Sequence, residues 1–250
     1  MGDIMDTFSF SRLSLYCECP ERFYKKYIEG YEEEMTLPLA FGSAVHLGIE
    51  YVLNGDTLSN AVVKAMHEID FHPEVNPNEV MQMISNAPIH GGNGIRGEIE
   101  THFKLPLSNE ADAPKIQGFI DVLGDGFIFD WKTNRVPYKV TDTYQIGLYA
   151  WAINQMKRWE KVYGSLYFTR FRRESRHLYT LDEMEEARKW AYDTAKEIQG
   201  KLEILKAMPE LKDELFPAIP SRNCSHCPFS VDCFIKNNQI HKYEDKKEIV

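Results

Sequence analysis

The stretch that most restricts this chain runs from Lys115 to Lys132. Lys115-Ile116-Gln117-Gly118-Phe119-Ile120-Asp121-Val122 alternates polar and apolar side chains, which predicts a half-buried strand. Gly124-Asp125-Gly126 then supplies residues that tolerate positive φ, as a tight hairpin requires. Phe127-Ile128-Phe129-Asp130-Trp131-Lys132 follows as the return strand, and Gly97 to Leu107 alternates in the same way before the pair. Three strands in succession commit the middle of the chain to a sheet. Strand side chains repeat with period two, so Asp130 and Lys132 share a face, and the hairpin sets Asp121 roughly across from Asp130.

Clustered carboxylates repel one another and gain by binding a hard divalent cation such as Mg²⁺ or Mn²⁺. Such an ion polarises a phosphodiester and lowers the pKa of a bound water, while an ammonium such as Lys132 orients that water or offsets transition-state charge. An isolated Asp-x-Lys triplet is common in solvent-facing ion pairs. Here Phe127-Ile128-Phe129 sets the charges at the end of a buried strand. Gln145 and Tyr149, at i and i+4 of a helix expected over Thr143 to Lys157, lie on one face and suit a phosphate or water; the alternative is an ordinary amphipathic face. His46 stands among apolar residues of a helix expected over Ala40 to Leu53, where a satisfied core histidine is the commoner case. As a ligand it would tilt preference towards Mn²⁺.

Around the sheet the pattern is helical. Ser11 to Tyr27 has helical spacing, with Ser9 or Ser11 as cap and Pro20 dividing it. Further helices are expected at Thr57 to Ile69 and Pro77 to Ala87, strands at Lys161 to Phe171 and Arg176 to Thr180. The capping box Thr180-Leu181-Asp182-Glu183 opens a long helix to about Met208, stopped by Pro209. The order gives an α/β fold with a central mixed sheet flanked by helices. The 250 residues are expected to form one compact unit, with a helical N-terminal portion 9–90, a core 95–208 and a cysteine-rich tail 217–240.

A net charge of −9 argues against a broad basic surface that coats nucleic acid, but leaves room for a local groove. Arg170, Arg172 and Arg173 form the densest basic run, with Phe171 among them; a solvated strand end is the competing reading. No stretch reaches the roughly 18 apolar residues of a membrane span, and the acidic start Met1 to Asp6 is unlike a secretory signal. A cytoplasmic protein without membrane contact is expected. Of five cysteines, Cys17 and Cys19 lie near one end and Cys224, Cys227 and Cys233 near the other. That distribution favours ligation over a disulfide framework.

Taken in order, these motifs resemble the RecB-type nucleases of the PD-(D/E)XK superfamily, with a restriction-endonuclease-like core. Ser9 to Phe23 resembles their opening motif, Gly42-Ser43-Ala44-Val45-His46 their histidine motif, and Gly118-Phe119-Ile120-Asp121 their first acidic motif. Phe129-Asp130-Trp131-Lys132-Thr133 is similar to their Asp-x-Lys motif, and Gln145-x-x-x-Tyr149 to their downstream helix motif. The resemblance implies that His46, Asp121 and Asp130 bind the metal, that Lys132 is catalytic, and that Glu100 assists. Glu98 points the same way by alternation, so both stay open. The chain departs from the pattern in having Ile120 before Asp121, and Asp130 where many members carry Glu.

Cys224-x2-Cys227-x5-Cys233 offers three thiolates, and spacing alone suits either a 4Fe-4S cluster or tetrahedral zinc. The resemblance, to iron-sulfur members like the AddB nuclease and the CRISPR-associated RecB-like exonucleases, makes Cys19 of Tyr16-x-x-Cys19-Pro20 the fourth ligand of a cluster. It implies a DNA exonuclease acting on single strands or ends. No Gly-x4-Gly-Lys-[Ser/Thr] loop is present, so the chain carries no nucleotide-driven motor there and either works alone or partners a separate helicase, recombinase or CRISPR integrase. The rival functions are a catalytically silent DNA-end-binding module and a zinc-stabilised scaffold.

Overall fold

The computed structural model describes residues 5–90 and 94–236. Residues 1–4 of the acidic start and 237–240 of the expected tail lie outside the described residues. By internal contacts the chain divides into two units, one of Met1–Phe10 with Leu37–Glu197 and one of Ser11–Thr36 with Ile198–Val250. Residues 9–90, grouped by their helical pattern, therefore belong partly to each.

The first unit holds a six-stranded mixed sheet. Its strands are β1 (Thr7–Phe8), β2 (Glu98–Pro106), β3 (Lys115–Gly124), β4 (Phe127–Lys132), β5 (Val162–Phe168) and β6 (Arg173–Tyr179). The β3–β4 turn is as expected, Gly124 pairing with Phe127 while Gly126 takes φ +76°. β2 runs antiparallel along β3 from Glu98 opposite Leu123 to Pro106 opposite Lys115. β4 pairs with β3 only at Val122 to Gly124, and β1 lies parallel to it at Lys115 and Ile116. A strand has two edges, so β1 and β4 share the edge that β2 leaves free. Between them, where β4 has parted from β3, stands Asp121.

β4 and β5 are parallel, with Lys132 opposite Phe168, and β5 and β6 are antiparallel. β5 ends three residues earlier than Phe171 and β6 starts at Arg173, because Thr169 to Arg172 form the turn; Arg172 takes a left-handed φ of +51° there. The crossover from β4 to β5 is helix α6 (Gln145–Lys157), a stretch of largely buried residues from Ile146 to Ile153.

Three further helices of this unit, α3 (Leu37–Leu53), α4 (Leu58–Glu68) and α5 (Pro77–Asn86), build one apolar cluster with Val122, Phe129 and Trp131 of the sheet. Thr57 caps α4 through Asn60 N–H, and Asn76 caps α5 through Asn78 N–H. The box that opens α7 (Leu181–Ala207) forms as read, Thr180 N–H donating to Glu183 Oε2 at 2.8 Å. Among the described residues no helix is long and apolar enough to cross a membrane.

The second unit contains α1 (Phe10–Glu18) from Ser11 onward and α2 (Pro20–Tyr27), divided at Pro20 as expected, together with the end of α7 and α8 (Lys212–Leu215). Phe216 packs against the Tyr16 and Tyr24 rings, and Lys201 donates to Tyr16 Oη at 2.6 Å. Glu21 N–H bonds to the Pro217 carbonyl, and Glu33 gathers Arg22 and Lys26. Residues distant in sequence are thus fastened within this unit.

Candidate metal centre and thiol cavity

The parting of β3 and β4 shapes the acidic site. Trp131 N–H has no partner strand on the β3 side once the ladder stops, and Asp121 Oδ2 accepts from it at 2.7 Å. His46, on α3, brings Nδ1 to 3.3 Å from the same oxygen. Asp130 and Lys132 emerge together, Nζ lying 2.8 Å from Oδ2. That contact is a buried ion pair, the ammonium standing directly against the carboxylate oxygen. Gln145 closes a ring: its Nε2 donates to Asp130 Oδ1 at 3.0 Å, and its Oε1 accepts from Lys132 Nζ at 2.9 Å.

Gly118 leaves room for the Phe103–Tyr149 ring pair. A Cβ there would lie 2.8 Å from the Phe103 ring and 3.1 Å from Tyr149, which sits one turn beyond Gln145. Burial, with Asp130 close by, pushes the Tyr149 phenol up to about 12.

The charges answer one another. Burial raises the Asp130 carboxyl, Asp121 adds to it, and Lys132 pulls against both; the net direction is upward. Burial would also raise Asp121, but His46 and the Trp131 amide hold it below the usual carboxylate range. Burial disfavours charge on His46, yet Asp121 and Asp130 carry it up to about 9. Lys132, despite burial, is raised further by Asp130.

The structure separates Glu98 from Glu100. Glu98 is exposed and pairs with Lys157 at 3.0 Å. Glu100 lies between Ile99 and Thr101, which pair with Val122 and Ile120 on either side of Asp121, and it has φ +50°. It lines a cleft of about 520 Å³ with Gly42, Ser43, His46, Glu50 and Asp121. Burial, then Asp121 and Glu50, push its carboxyl up to about 7. Glu50, one helical turn beyond His46, was missed by motif reasoning; its i+4 spacing was the available signal.

Of the basic run, Arg172 Nε donates to Asn86 Oδ1 at 2.7 Å, Arg173 is exposed at the start of β6, and Arg170 lies over the Phe41 ring at 5.5 Å. Asn86 also escaped the sequence reading. It is buried, and no local pattern links it to residues more than 80 positions away.

In the second unit Cys19, Cys224, Cys227 and Cys233 line one cavity of about 680 Å³, with Glu21, Arg22 and Lys25 on its wall. Pro20 opens α2, leaving Cys19 extended at the N-cap with its side chain unused in capping. Burial pushes the Cys227 and Cys233 thiols up, and the facing Cys19 and Cys224 act in the same direction. Cys17 and His226 are exposed and do not line the cavity. Among the described residues no three His, Cys, Asp or Glu side chains are gathered to hold one metal ion.

A mixed sheet whose parted strands present Asp, Asp-x-Lys and a helical Gln defines a class. The chain matches the family model of the PD-(D/E)XK nuclease superfamily over residues 7–234, and it belongs to that superfamily. It has the restriction-endonuclease-like α/β fold. The superfamily generally comprises metal-dependent nucleases that use divalent ions such as Mg²⁺ or Mn²⁺. The crystal structure of a protein designated SSO0001 is similar at 17% identity, with 93% of this chain and 88% of that one covered and a TM-score of 0.46. No curated protein matches.

Proposed function

We propose that this chain is a divalent-metal-dependent DNA nuclease of the RecB type, acting as an exonuclease on single strands or DNA ends. The observation that carries the reading is the Asp130–Gln145–Lys132 ring beside the Asp121–His46 pair. The donor set fits a hard cation, since Asp121 and Asp130 are two buried carboxylates near enough to repel one another. His46, Asp121 and Asp130 would hold the ion, which supplies charge stabilisation and a water acidified for attack. Lys132, fixed by Gln145 and Asp130, keeps a positive charge where the phosphodiester gains negative charge. Gln145 positions Lys132, Tyr149 packs behind it, and Glu100 adds a carboxylate from the cleft side.

The four cysteines belong to the same reading as ligands of a 4Fe-4S cluster. One zinc ion would draw four sulfurs to within about 3.8 Å of each other at Zn–S distances of about 2.3 Å. The cavity that the four cysteines line is roomy and carries Arg22 and Lys25 to offset thiolate charge. A larger, multi-iron group suits a cavity of that size.

The test is digestion of end-labelled single- and double-stranded DNA by anaerobically purified protein with Mn²⁺. Mononucleotides or short products released from single strands are expected, abolished in Asp130→Ala and Lys132→Ala. Equal cleavage by wild type and both variants would sink the assignment. Binding without cleavage would favour the silent end-binding module.

A further inference from the structure

We propose that Arg170 is a phosphate-binding residue for the nucleic-acid strand beside the metal centre, and that Arg172 is not. The proposal rests on the nuclease reading and names one contact of the same site.

The β5–β6 turn is fastened to the end of the Asp-x-Lys strand. Thr169 donates twice to the Lys132 carbonyl, from N–H at 3.0 Å and from Oγ1 at 3.3 Å. Asn86, the last residue of α5, holds the turn from its other side. Its Nδ2 donates to the Thr169 carbonyl at 3.0 Å, its Oδ1 accepts Arg172 Nε, and its own carbonyl accepts Tyr167 Oη at 3.1 Å. The left-handed Arg172 is therefore occupied in shaping the turn.

Arg170, between Thr169 and Phe171, is treated differently. Its guanidinium rests on Phe41, the residue before Gly42, which lines the cleft with His46 and Asp121. A Cβ on Gly42 would be 3.5 Å from Thr133 Oγ1, so this part of α3 borders the chain just past Lys132. No hydrogen bond or ion pair takes up the Arg170 guanidinium among the described residues, and its Nε is buried without a partner. A planar cation braced on an aromatic ring, with donors uncommitted, next to a site built to cut phosphodiesters, is suited to a phosphate oxygen. On a chain of net charge −9, such an uncommitted cation supplies local attraction that the surface at large does not.

The test is fluorescence anisotropy of a labelled single-stranded oligonucleotide with Ca²⁺ in place of Mg²⁺, over a range of salt. The full chain is compared with Arg170→Gln and Arg170→Lys, each checked for folding by thermal melting. Arg170→Gln should bind about tenfold more weakly, with the slope of log K against log salt smaller by about 0.7 to 1. Arg170→Lys should restore the slope. A slope unchanged in Arg170→Gln, or Arg170→Lys behaving like Arg170→Gln, overturns the proposal. Because binding is read without turnover, an Arg170-dependent slope in a protein that never cleaves leaves this contact standing and removes the nuclease reading. Cleavage with an unaltered slope does the reverse.

Discussion

Removing the Lys132 charge alone should cost more stability than removing both charges of the Asp130–Lys132 pair. The side chains are 6% and 16% exposed, and the charged atoms lie 2.8 Å apart. Two unit charges at that distance attract by about 6 kcal/mol at an effective dielectric constant near 20. Desolvation offsets part of this, and loss of one partner of a buried pair costs about 3–5 kcal/mol. Lys132→Met leaves Asp130 facing Asp121 with only Gln145 to donate, so a loss of about 3 kcal/mol is expected, or about 6–12 °C in Tm for a chain of this size. Asp130→Asn keeps an acceptor for Gln145 and relieves repulsion with Asp121, and should cost about 1–2 kcal/mol. The double variant should lie within about 1–2 kcal/mol of wild type, a coupling of about 2–4 kcal/mol. Urea and thermal unfolding in buffer free of divalent ions measure all four proteins. Additivity to within about 0.5 kcal/mol would show that the two charges do not face one another.

Gly118→Ala drives a methyl group into Phe103 and Tyr149, and thermal melting should show a loss of about 1–3 kcal/mol together with reduced nuclease turnover. Thr180→Ala removes the cap of α7 and should lower stability by about 1 kcal/mol in urea titration, with cleavage unchanged. Cys227→Ala should yield colourless protein with little iron or acid-labile sulfide and a lower melting temperature. A brown protein of normal stability would count against the cluster.

Much of the fold was legible because its signals are local. The Gly124–Gly126 turn, the Asp130/Lys132 alternation, the Pro20 break and the Thr180–Glu183 box each depend on a few adjacent residues, and each is found where expected. β1 was not legible, since Thr7 and Phe8 are too few to show a period and are strand only through β3. Glu98 and Glu100 could not be told apart, because residues two apart share a strand face and alternation ranks neither, and the φ of +50° at Glu100 has no local signal. Such a strained residue among carboxylates is where local rules are expected to fail. Asn86 and Thr169 act on residues brought near only by the folded sheet, so no spacing announces them. The division into units was hidden for the same reason: α1 and α2 read as neighbours of α3 in sequence, but their contacts are with residues past Ile198.

The most direct check is Mn²⁺ binding followed by electron paramagnetic resonance, for wild type against Asp121→Asn and Asp130→Asn. Loss of the free-ion signal on addition of wild-type protein, and its persistence with either variant, is the predicted result. Equal uptake of Mn²⁺ by all three proteins, or none by the wild type, would contradict a cation held between these two carboxylates.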